Sequence, residues 1–163
     1  MRAMILTSLL ALAGNSALAA SDYHILPGIT CQPLDDAAAV MLDRDLGAIQ
    51  NIDTDTQTVT CPIVRDNPTT LTKLSVKVYV YDQNDGEDVE CTLKSKYMSS
   101  MSTYASSSNA SSSYSGTPSS FTLGSISVPA STSSPAMVYF NCTIPPVFAG
   151  NQSAIIGYLV TES

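Results

Sequence analysis

Four cysteines, a run of carboxylates, three of the eight tyrosines and a single histidine are the residues whose types and spacing could support chemistry in this chain. Cys31, Cys61, Cys91 and Cys142 lack a C-x-x-C pair, and His24 is the only histidine, so a zinc site has no natural ligand set. An even cysteine count behind an export leader instead points to two disulfides. Cys91 and Cys142 lie on the apolar phase of two alternating runs, and Cys31 closes the N-terminal arm onto the run holding Cys61. The pairs predicted are therefore Cys31 with Cys61 and Cys91 with Cys142, which leaves no thiol for nucleophilic catalysis. A Ser-His-Asp arrangement would have to use His24, and no G-x-S-x-G elbow is present.

Five carboxyl groups fall between Asp82 and Glu90. Glycoside hydrolysis needs two carboxyls about 5–9.5 Å apart across a cleft, and a hairpin end offers no cleft, so the run reads first as a solvated turn. Calcium is the second reading, with Asp82, Asn84, Asp85 and Asp88 as oxygen ligands. The spacing is not that of an EF-hand, because Gly86 comes one place early and no glutamate stands at the twelfth position. No other cofactor is expected. Tyr79, Tyr81 and Tyr139 fall on the outward phase of their strands and predict an aromatic ligand face suited to sugar or protein contacts. The plainer alternative is cross-strand packing that stabilises the sheet.

These groups must be positioned by strands. Leu74, Val76, Val78 and Val80 alternate with Lys73, Ser75, Lys77 and Tyr79, the period of a half-buried strand. Val89, Cys91 and Leu93 repeat the pattern, so Lys73–Leu93 predicts a β-hairpin whose tip is the acidic turn. Pro and Gly between residues 21 and 33 predict an irregular N-terminal arm, while residues 34–46 predict a strand through Val40 and Leu42, with a helix starting at Asp35-Asp36 as the alternative. Val59, Cys61 and Ile63 share a face, and Pro62 places that strand at an edge or a bulge. Residues 99–120 hold twelve serines and predict a long exposed loop, because they offer little apolar surface for ordering. Around Phe121–Val128 neither face is cleanly apolar. Val138, Phe140, Cys142 and Ile144 form a clean inward face, and residues 154–160 form a closing strand apolar on both faces.

Residues 1–20 carry a basic start, an apolar run from Met4 to Ala13 and an Ala17-Leu18-Ala19 cleavage pattern, which predict a secretory signal peptide. The run is too short to span a bilayer, so no membrane span is expected in the mature chain. Residues 21–163 then form a single domain, secreted to the periplasm or the extracellular space. A net charge of −7 without basic clusters argues against nucleic acid as a partner. About eight short strands predict an all-β fold, a two-sheet antiparallel β-sandwich of jelly-roll or immunoglobulin-like topology. The absence of tryptophan weighs against the immunoglobulin form.

The series Gly47-x-Ile49-x-Asn51, Val59-Thr60-Cys61-Pro62-Ile63-x-Arg65, Val89-x-Cys91-x-Leu93 and Asn141-Cys142-x-Ile144-Pro145, followed by a strand ending at Glu162, resembles small exported proteins of Gram-negative bacteria. The resemblance implies an exported β-sandwich and brings no active site with it. The functions that follow are a secreted, non-catalytic structural or interaction module, such as a cell-surface or filament subunit that self-associates, and, as the alternative, a module that binds an extracellular glycan or other ligand through the outward tyrosines or the serine-rich segment.

Overall fold

The computed structural model describes residues 22–36, 42–44, 47–65, 72–111, 117–129 and 136–163, so the predicted leader lies outside the described residues. Alternation of apolar and polar residues builds two antiparallel sheets. The first contains β1 (Asp22–Pro27), β3 (Leu42–Asp43), β4 (Ile49–Asn51), β6 (Thr72–Tyr81), β9 (Pro118–Val128) and β11 (Ala154–Glu162). The second contains β2 (Gln32–Pro33), β5 (Gln57–Pro62), β7 (Glu90–Tyr97), β8 (Thr103–Ala110) and β10 (Ala136–Ile144). Their orders are β3-β4-β11-β6-β9, with β1 also on β11, and β2-β5-β10-β7-β8. Strands 4, 11, 6 and 9 thus face strands 5, 10, 7 and 8, which is jelly-roll connectivity.

The core lies between the sheets. Leu74, Val76, Val78 and Val80 of β6 are all fully buried, each stabilising by about 1.5–3 kcal/mol. Phe140 of β10 meets Tyr158 of β11 edge-to-face, with ring centroids 4.8 Å apart. The Tyr158 hydroxyl donates to the Pro62 carbonyl at 2.6 Å, a polar tie from one sheet to the other. Both disulfides form as the sequence predicts, Cys31 with Cys61 and Cys91 with Cys142. The second joins residues directly opposite one another on β7 and β10.

Four sequence expectations need correction. First, β6 and β7 are not a hairpin: β6 pairs with β9 and β11, and β7 with β8 and β10. Periodicity identifies the buried face of a strand without choosing its neighbour, and these two strands meet across the core from opposite sheets. Residues 82–89 are consequently a crossover. Second, residues 99–120 are not one exposed loop, since β8 and the start of β9 fall within them. The serines order because their backbone pairs with β7 from Lys96 opposite Thr103 to Glu90 opposite Ala110, and only one side of an edge strand needs burial. Third, the N-terminal arm is strand β1, paired with β11 from Asp22 opposite Glu162 to Pro27 opposite Gly157. Fourth, of residues 34–46 only Leu42–Asp43 is strand among the described residues, and residues 37–41 and 45–46 lie outside them.

A register shift accounts for the mixed faces of β9. Ile126 stands opposite Leu74 and Leu123 opposite Val76, so two residues of β9 oppose Ser75 alone. The bulge shifts the inward phase from Phe121 and Leu123 to Ile126 and Val128, all of them buried.

Candidate ligand-binding face

The acidic segment is where sequence and structure differ most. Asp82 is fully buried rather than solvated. Its carboxylate accepts from the Ser111 hydroxyl at 2.5 Å, the Ser153 hydroxyl at 3.1 Å, and the backbone N–H groups of Asn84 at 3.2 Å and Val89 at 3.3 Å. Asn84 is also buried: its side-chain oxygen accepts from the N–H groups of Gly86 and Glu87, and its amide nitrogen donates to the Pro146 carbonyl. Asp85 and Asp88 are exposed. The four residues suggested for calcium therefore divide into two that hold the crossover together and two that face solvent. Among the described residues no group of three or more His, Cys, Asp or Glu side chains is placed to hold a metal ion. Glu87, Asp88 and Glu90 instead line an open depression of about 440 Å³ beside Thr56 and Thr143.

The three tyrosines do not share a face. Tyr79 and Tyr81 stand on β6 in the first sheet and Tyr139 on β10 in the second, so they point away from the core in opposite directions. Tyr79 has the Lys77 ammonium 5.3 Å from its ring centroid. His24 sits on β1 opposite Val160.

Tyr139 belongs to a surface that the sequence did not reveal. Across the outer face of the second sheet the register places Pro62, Tyr139, Lys94 and Ser106 in one row, and Thr60, Asn141, Thr92 and Ser108 in the next. The second row is a polar ladder: the Thr60 hydroxyl donates to the Asn141 side-chain oxygen at 3.0 Å, and the Thr92 and Ser108 hydroxyls lie 2.9 Å apart. Leu34, Pro62, Ile63, Met137, Tyr139 and Asn141 line an open depression of about 440 Å³, largely apolar, at one side of the face. The Lys96 ammonium lies 5.9 Å from the Tyr139 ring centroid. An apolar ring beside hydroxyl, amide and ammonium groups can hold a flat, polyhydroxylated molecule by ring contact and hydrogen bonds together. The outward phases of β5, β7 and β10 were readable in the sequence, but β8 and the strand order that sets the four side by side were not.

No family model matches the sequence, and no curated protein matches it. Among solved structures, a chain of the infectious bursal disease virus Gx strain is similar over 89% of this chain and 32% of its own, with a TM-score of 0.50 and 10% identity. The chain spans about a third of the length of the viral chains it matches. A carbohydrate-binding module solved with β-1,4-galactotriose is similar over 85% of this chain and 86% of its own, at a TM-score of 0.43 and 8% identity. A second module, described for specific mannan recognition, is similar over 89% and 99%, at a TM-score of 0.44 and 7% identity. At such identities a likeness speaks for the fold alone. No described helix is long and apolar enough to cross a membrane.

Proposed function

We propose that this protein is an exported, non-catalytic binding module that takes an oligosaccharide on the outer face of its second sheet. The observation that carries the reading is the convergence of Tyr139 with a four-strand ladder of hydroxyl and amide groups beside the apolar depression. The face runs roughly 14 Å from β5 to β8 at about 4.8 Å per strand, which suits several linked sugars better than one. The Tyr139 ring supplies the apolar platform for a sugar's C–H face. Asn141 and Thr92 supply the polar contacts beneath the chain, and Lys94 and Lys96 add ammonium donors to hydroxyl or carboxylate groups. The two disulfides fix the strands that carry these groups. A glycan array followed by calorimetry of Tyr139→Ala and Asn141→Ala tests the reading, with Tyr79→Ala on the opposite face as the control.

A second reading, a self-associating surface subunit, draws on a different surface. Edge strand β1 exposes Tyr23 and Ile25 at 66% and 74%, an apolar edge of the kind that pairs with another chain.

A further inference from the structure

We infer that β1 is an exchangeable strand that docks on β11 of a second copy of this chain, an inference that rests on the self-association reading. Every side chain of β1 is exposed or half-buried, and only Leu26 packs against the core. The strand is held chiefly by its backbone ladder to Gly157–Glu162. The residues after it are held quite differently. A Cβ on Gly28 would come within 2.0 Å of the Ile155 carbonyl oxygen, so backbone packs on backbone there, and three residues later Cys31 is bonded to Cys61. A loosely held strand therefore adjoins a rigid anchor, with the pivot at Pro27–Gly28.

Among the described residues β1 pairs with β11 alone, so its departure disturbs no other strand pairing. Its departure would uncover the β11 edge from Gly157 to Glu162, which no other strand among the described residues pairs on that side. The segment that fits this edge in register and sequence is β1 itself, so the natural occupant is β1 of another copy. Reciprocal exchange would close a pair, and sequential exchange would extend a filament.

Ile25 and Leu159 lie directly opposite one another, so Ile25→Cys with Leu159→Cys reports which copy supplies β1. The double variant is unfolded and refolded with its native disulfides intact, at low and high protein concentration, then oxidised and run on non-reducing gels. The expected result is an intrachain link at low concentration and covalently linked multimers as the major species at high concentration. Wild-type protein is refolded in parallel with excess synthetic peptide spanning Asp22–Pro27, which should occupy the β11 edge and shift the size distribution towards monomer. This arm decides the matter should the double variant fail to fold. Intrachain links alone while wild-type copies still associate, or association unmoved by the peptide, would overturn strand exchange and leave self-association standing. Monomer at every concentration would overturn both.

Discussion

A carboxylate taken out of water needs donors in its place, and Asp82 receives four, from Ser111, Ser153 and two backbone N–H groups. Ser111 lies between β8 and β9 and Ser153 precedes β11, so this one side chain ties three connections together at one end of the sandwich. Asp82→Ala should leave two buried hydroxyls and the Asn84 N–H without their acceptor, while the Val89 N–H keeps the Ser111 hydroxyl oxygen at 2.9 Å, costing about 3 kcal/mol, or roughly 10 °C in Tm, by thermal unfolding. Asp85→Ala, at an exposed position of the same segment, should stay within about 0.5 kcal/mol of wild type. Tyr158 gives a second residue-scale test. Burial raises the pKa of its phenol above 10.0, opposed in part by the hydrogen bond to Thr30. A phenol that ionises later when folded than when unfolded binds more protons in the native state above pH 10, so stability should fall as pH rises through that range. Tyr158→Phe should lose about 1 kcal/mol at neutral pH through the missing bond to Pro62, and denaturant titrations from pH 9 to 11 should show a shallower alkaline decline. The burial of Asp82 was not legible in the sequence, since a run of Asp, Asn and Gly looks the same whether it turns a hairpin in water or crosses a core.

At the scale of elements, alternation gave the inward faces of β5, β6, β7 and β10 correctly, and with them both disulfides, because side-chain direction is a local property of a strand. Strand partners are not local, and composition misled wherever backbone pairing did the ordering. The serine segment forms β8 on the edge of β7, with Ala105 against the core and the Asn109 amide donating to the Thr122 carbonyl of β9 at 3.0 Å. Replacing Thr103–Ala110 by a Gly-Ser linker should therefore lower Tm by more than 10 °C, where a solvated loop would tolerate the change. Close backbone approaches supply a finer test. Gly28→Ala should be severe, about 3 kcal/mol, because its Cβ would meet the Ile155 backbone, which cannot give way. Gly124→Ala would meet only the Ser107 hydroxyl at 2.8 Å, and rotation of that side chain should hold the cost below about 1 kcal/mol in urea unfolding. Equal costs at the two glycines would contradict the packing of the Gly28 turn against β11.

For the whole molecule, one disulfide joins β7 to β10 and the other ties Cys31, just before β2, to β5, so the sheet that carries the candidate face is the covalently braced one. The loops they close span 30 and 51 residues, and each should contribute about 4 kcal/mol in the chain-entropy model. Reduction should consequently reduce stability strongly, as read by unfolding with and without reductant. The tyrosines and the serine segment, separate features in the sequence, divide in the fold: Tyr139 and β8 share the braced outer face, while Tyr79 and Tyr81 stand on the other side. That division is what makes the binding account testable by a single comparison. The most direct measurement is calorimetric titration of an oligosaccharide selected on a glycan array into wild type, Tyr139→Ala and Tyr79→Ala. Loss of the platform in Tyr139→Ala should weaken binding at least about tenfold, with Tyr79→Ala matching wild type. Unchanged affinity in Tyr139→Ala, or a loss confined to Tyr79→Ala, would contradict the assignment of the second sheet as the binding face.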